Sequence, residues 1–156
     1  MPADNGALER LVAAEDIRQL IASYCILYDD KDWEAFAELW TEDAAFVVED
    51  SAFEGRDVML EFLTNCLPED YITKHLCGPS LIEIGPGGDT ATAQTDVVWI
   101  AANFENTIVA RYDDTLVLQD GSWLFQRRVE TPVQYEPGPP PMSETATSVS
   151  NASMRK

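Results

Sequence analysis

The chain contains one histidine, His75, in the run ITKHLCG. An imidazole titrates near pH ~6.5 and, as the neutral base, can take a proton at physiological pH once a neighbour fixes its tautomer. A carboxylate is the usual neighbour, and acids gather in CILYDDKDWEAF at 25–36, two of them adjacent at Asp29 and Asp30. Just upstream, Ile17, Leu20, Ile21, Tyr24 and Tyr28 recur at helical spacing and define one apolar stripe. At about 100° per residue Asp29 lies at the edge of that stripe and Asp30 points almost away from it. The same acids, with Lys31 and Asp32, also read as a polar turn between two helices. His75 likewise has an ordinary reading, as a hydrogen-bonded structural residue on a strand. One histidine and three scattered cysteines lack the ligand spacing of zinc or non-haem iron sites, so neither metal nor cofactor is expected.

The elements that must position these groups follow from periodicity. The stripe through Tyr28 predicts a first helix. A second begins with Asp32 as cap and carries Trp33, Phe36 and Trp40 before TEDA (41–44) turns the chain. AAFVVE reads as a strand, and GRDVMLEFLTNC returns to helical spacing through Val58, Leu60, Phe62 and Leu63, with Pro68 ending it. From Tyr71 onward the composition turns β-branched and aromatic, giving four strands in series. GPGGD (85–89) and Asp120-Gly121 are hairpin connections, and 103–106 supplies a softer turn. Alternation on the strand after Tyr71 puts Thr73, His75 and Cys77 on one face and Lys74 and Leu76 on the other. Three helices ahead of a meandering sheet predict an α+β domain in which the helices close one side of a strongly curved, cone-shaped, mixed or antiparallel sheet and enclose a pocket.

Bulk composition narrows the partners. A chain of 156 residues with 46 % hydrophobic content is expected to form one domain with a real core. Ten basic residues against 28 acidic ones leave a net charge of −18, which repels phosphate backbones and anionic headgroups and argues against nucleic acid or membrane as partner. Cys25, Cys66 and Cys77 are odd in number and show no C-x-x-C spacing, as expected of a reduced, cytoplasmic protein. The first seven residues are expected to be a flexible N-terminus without the features of a signal peptide. Residues 135–156, rich in Pro, Ser and Thr, are expected to be a disordered tail.

The succession IRQLIASYCILYDDKDWEAFAELWTEDAAF, EGRDVMLEFL, KHL and ARYDDTLVLQDGSWLFQRRV resembles the SnoaL-like branch of the nuclear transport factor 2-like superfamily over residues 8–134. The resemblance implies an α+β barrel of the kind seen in two lyases of the superfamily, scytalone dehydratase and lindane dehydrochlorinase, where an Asp at the end of the first helix pairs with a sheet His that abstracts a proton. By that resemblance Asp29 is the orienting acid, His75 the base, and Tyr28 or Arg128 stabilises developing oxygen charge. Tyr24 stands where the dehydrochlorinase carries a lysine, and there is no second histidine as in the dehydratase, so neither substrate carries over. Tyr24, Trp99, Tyr112 and Asn103 are expected to bind substrate; Asp96 and Asp114 lie on the same strands. The Arg111-x-Asp113 spacing is similar to that of limonene-type epoxide hydrolases, but a three-residue spacing is weak evidence and a cross-strand ion pair is the better explanation. The implied function is a cofactor-independent lyase or hydratase acting on a small, largely apolar or polycyclic molecule, in a dimer or trimer. The alternatives are an isomerase or polyketide cyclase in which a carboxylate moves the proton, and a non-catalytic binding module or dioxygenase small-subunit-like protein.

Overall fold

The computed structural model of the protein describes residues 5–66, 68–101 and 106–133. Asn103 and the Pro/Ser/Thr-rich segment 135–156 lie outside them. The chain runs α1 (Asn5–Asp30), α2 (Trp33–Ala37), β1 (Trp40–Val48), β2 (Ser51–Glu54), α3 (Arg56–Asn65), β3 (Thr73–Ile84), β4 (Thr90–Ala101), β5 (Thr107–Gln119) and β6 (Ser122–Pro132). The strands form one curved sheet in the order β2-β1-β6-β5-β4-β3. All neighbours are antiparallel except β1 and β6, which run parallel. The chain therefore has the expected α+β class and mixed sheet. Because β2 and β3 remain as edges, the sheet is an open cone rather than the closed barrel implied by the resemblance.

The stripe of α1 is buried as its spacing predicts: Ile17, Leu20, Ile21, Tyr24 and Tyr28 all enter the core, where Phe36, Trp40, Phe46 and Phe125 meet them. Burying each such side chain contributes about 1.5–3 kcal/mol. The helix ends because Lys31 adopts a left-handed conformation (φ 57°). The amides of Lys31 and Asp32 turn back to the carbonyls of Tyr28 and Leu27, closing a Schellman motif. Asp32 then caps α2 by accepting a hydrogen bond from the Ala35 amide at 3.2 Å. At the far end of the sheet Asp120 and Gly121 both take positive φ, the type I′ geometry expected of an Asp-Gly hairpin.

Three local expectations are corrected. TEDA does not turn the chain but lies inside β1, where pairing with β6 jumps from Trp40↔Phe125 to Ala45↔Arg127, so the apparent turn is a bulge. Trp40 begins that strand instead of completing α2. On α3 Leu63 is buried and Leu60 and Phe62 pack against the core as expected, but Val58 is exposed and Met59 takes the inward place at the start of the helix. The short strand β2, which pairs with the end of β1, was not expected at all; four residues carry too little alternation to announce themselves.

Two further bulges decide which side chains face the concave side. In β3 the register against β4 shifts between Cys77 and Ser80, at Gly78-Pro79, and the inward set changes from Thr73, His75 and Cys77 to Ser80, Ile82 and Ile84. Proline is tolerated there because a bulge leaves a donor position free. In β6 Leu116↔Phe125 is followed by Thr115↔Arg127, so Gln126 is an extra residue, and the inward set changes from Trp123 and Phe125 to Arg128 and Glu130. No helix among the described residues is long and apolar enough to cross a membrane.

Candidate active site

The last turn of α1 lies against the start of β3, and this juxtaposition brings Asp29 to His75. His75 Nδ1 lies 2.8 Å from Asp29 Oδ1, the His75 amide donates to Oδ2 at 2.8 Å, and Thr73 Oγ1 donates to Oδ1 at 3.0 Å. The histidine and aspartate side chains are only 4 % and 3 % exposed. Burial works to raise the Asp29 carboxyl, but the hydrogen bonds from His75 and Thr73 outweigh it and hold the carboxyl below its ordinary range. An ionised carboxylate only accepts, so Nδ1 carries the proton and Nε2 of the neutral ring holds the free lone pair. Asp30, one position further, is exposed and sits 3.7 Å from Lys74 Nζ. The adjacent acids are thus separated by the helix phase: one serves the histidine and the other faces solvent.

His75 forms part of the wall of a hollow of about 220 Å³ between the helices and the concave face of the sheet. Its lining is aromatic and apolar: Tyr24, Tyr28, Phe46, Val48, Phe62, Leu63, Trp99, Ile108 and Tyr112, with Cys66 and Glu130. Tyr28 meets the imidazole edge-on with ring centroids 5.0 Å apart, and Tyr24 does so at 5.8 Å. The Tyr28 hydroxyl donates to the Leu63 carbonyl at 3.3 Å. Burial pushes the phenols of Tyr24, Tyr28 and Tyr112 up, so all three stay protonated. A second hollow of about 340 Å³ lies on the other side of Tyr28 and Leu63, but His75 does not reach it.

Arg128 does not line the hollow. It is fully buried beneath it, its guanidinium carbon 4.0 Å from the ring centroids of both Tyr24 and Tyr112. Asp114 holds it through two hydrogen bonds, Nε to Oδ1 at 2.7 Å and Nη2 to Oδ2 at 2.8 Å. Burial opposes the guanidinium charge, but Asp114 outweighs that effect. The bidentate pair, packed against two rings that meet edge-on at 5.8 Å, is an arrangement that suits arginine and not lysine. The expectation that Arg128 meets substrate oxygen is corrected: its charge is already matched by Asp114.

Of the residues singled out from sequence, Asp29, His75, Tyr24, Tyr28, Trp99 and Tyr112 converge here, with all but Asp29 on the wall. Asp96 does not; it is exposed and pairs with Arg111 directly across the β4–β5 ladder at 2.7 Å. Asp113 accepts from Gln94 in the same exposed ladder, so the Arg111-x-Asp113 spacing belongs to the outer face. Sequence reasoning missed two groups. Thr73 orients Asp29, and its place on the His75 face of the strand was the available signal. Glu130 lines the hollow, and simple alternation from Phe125 would have pointed it outward. Cys25 and Cys77, on the same helix and strand as the dyad, also meet, with their sulfur atoms 2.8 Å apart.

Residues 9–129 match the SnoaL-like domain. No curated protein matches the chain in sequence. Solved structures do match it in fold. A putative scytalone dehydratase from Novosphingobium aromaticivorans is 21 % identical, with a TM-score of 0.73, over 88 % of this chain and 98 % of that one. A type 2 hexachlorocyclohexane dehydrochlorinase is 23 % identical, with a TM-score of 0.69, over 87 % and 99 %. A protein of unknown function from Mycobacterium tuberculosis is 27 % identical, with a TM-score of 0.70, over 86 % and 78 %. With an open mixed sheet, three helices and a domain match covering most of its length, the chain belongs to the SnoaL-like domain family.

Proposed function

We propose that the protein is a cofactor-independent lyase that eliminates a leaving group from a small, largely apolar substrate, with His75 as the base. The observation that carries this reading is the His75 to Asp29 contact at 2.8 Å beside an aromatic hollow. Nε2 takes a proton from substrate carbon, Asp29 stabilises the imidazolium that forms, and the bond to the leaving group breaks. Tyr24 and Tyr112 offer neutral hydroxyls toward charge developing on a substrate oxygen, the Tyr28 proton being engaged by the Leu63 carbonyl. Trp99 supplies apolar wall, and Arg128 acts as a positioning residue that holds the Tyr24 and Tyr112 rings. Positioned proton transfer of this kind contributes about 10²–10⁴-fold in rate. The neighbouring dehydratase and dehydrochlorinase names support the same reaction class.

Assays of small cyclic and aromatic ketones bearing a β leaving group test the reading. His75→Gln and Asp29→Asn are each expected to lose at least about 10²-fold in kcat/KM while still unfolding cooperatively at neutral pH. Retained turnover in His75→Gln would exclude histidine as the base. The isomerase or cyclase alternative, with Asp29 itself as base, is disfavoured because Asp29 accepts three hydrogen bonds from Thr73 and His75 and does not line the hollow. A non-catalytic role would appear as tight binding of such ketones without turnover.

A further inference from the structure

Among the described residues, the wall of the hollow carries one carboxyl that the dyad does not use. Glu130 lies on β6, paired to Tyr112 on β5 and to Val48 on β1, and both neighbours line the same space. His75 on β3 is three strands away in the sheet order, about 14 Å along the surface at ~4.8 Å per strand. Curvature brings both into the lining of one hollow of about 220 Å³, which a small molecule can share with them.

A structural role for Glu130 would require a partner, and the described residues provide none by hydrogen bond. The nearest cation is Arg128, two residues back on the same face. Both of its engaged nitrogens go to Asp114, and Nη1 has no hydrogen-bond partner. The Glu130 carboxyl therefore does not close onto the guanidinium. It remains among Phe46, Phe62 and Tyr112, where burial pushes its pKa up and Arg128 opposes the shift. Asp29, held down by hydrogen bonds, and Glu130, pushed up by burial, are two carboxyls with opposite environments in one site. Such divergence separates a carboxylate that orients the histidine base from a carboxyl favoured in its protonated form.

We propose that Glu130 is the general acid of this site, giving its proton to a departing hydroxyl, and that the substrate class is a β-hydroxy carbonyl compound. The proposal rests on His75 acting as the base. His75 Nε2 removes the proton from the carbon next to the carbonyl, the C–O bond to the β-hydroxyl breaks, and the Glu130 proton joins the departing oxygen. The products are an α,β-unsaturated carbonyl compound and water. The imidazolium then loses its proton to solvent and the Glu130 carboxylate takes one up, restoring both groups. Hydroxide is a poor leaving group, so the acid matters most for this class.

Two probes with one skeleton separate the roles: 4-hydroxy-4-phenylbutan-2-one, which must lose hydroxide, and 4-(4-nitrophenoxy)-4-phenylbutan-2-one, whose leaving group needs no proton. Each is assayed with wild type, Glu130→Gln and His75→Gln. Glu130→Gln is expected to slow the hydroxy ketone by about 10²-fold or more and the nitrophenoxy ketone by less than about 3-fold. Its retained turnover of the second probe shows that the variant is folded. His75→Gln is expected to slow both. If Glu130→Gln slows both probes alike, or neither, the general-acid assignment is overturned while the histidine reading stands. Elimination that survives His75→Gln overturns the histidine reading instead, and failure of the wild type on both probes overturns the two together.

Discussion

Asp29 shows how a residue's role follows from its hydrogen bonds. Its folded-state carboxyl is held below the ordinary range by His75 and Thr73 despite burial. A depressed carboxyl contributes stability that is full above the unfolded value of about 3.9 and is lost as pH falls through the folded value. The stability gap between wild type and Asp29→Asn is therefore expected to be constant from neutral pH down to about pH 5 and to shrink below about pH 4. Urea denaturation across that range checks this; a gap that widens in acid would show that Asp29 does not hold its charge through these contacts. Arg128 teaches the converse at the same scale. The family resemblance implies a pocket role for it, but Asp114 neutralises it, and the ion pair becomes the floor on which Tyr24 and Tyr112 rest.

At the scale of elements, the bulge at Gln126 decides which side chains of β6 face inward. One extra residue exchanges the two faces of a strand from that point on. Upstream, Trp123 and Phe125 point inward; downstream, Arg128 and Glu130 do, while Arg127 is exposed. Deleting Gln126 would turn Arg128 and Glu130 to solvent, drive Arg127 toward the core and leave Asp114 buried without its partner. The expected result is a loss of stability above about 4 kcal/mol or no cooperative unfolding at all, read by thermal melting and near-ultraviolet circular dichroism. An unchanged midpoint would mean that inward facing is fixed elsewhere in the strand. The same argument explains why the helix residues Asp29 and Tyr28 were legible in the sequence and Glu130 was not. Helical phase runs unbroken from Ile17 to Tyr28, whereas the phase of β6 is reset by a residue with no signature of its own.

Over the whole molecule, the net charge of −18 is spread mainly over exposed acids, with few basic residues to offset them. Self-repulsion of this kind opposes the compact state and is screened by salt, the Debye length falling to about 10 Å at 0.1 M. Raising NaCl from about 0.02 to 0.3 M is expected to stabilise the fold by about 1 kcal/mol, a rise in thermal midpoint of about 2–4 °C for a chain of this size. A midpoint that falls with salt would show that attractive ion pairs such as Arg111–Asp96 outweigh the repulsion.

By itself, the sequence determined the order of helices and long strands, the buried stripe of α1, the Asp32 cap and the Asp120-Gly121 hairpin. Each rests on contacts within a few residues, and local periodicity or turn chemistry records such contacts directly. Only the tertiary structure decided that the sheet stays open, that Arg128 is sequestered by Asp114, and that Glu130 faces the hollow. Those outcomes depend on pairing between distant strands and on where a bulge falls, and a single extra residue in a ladder reverses the faces without altering the composition that would reveal it.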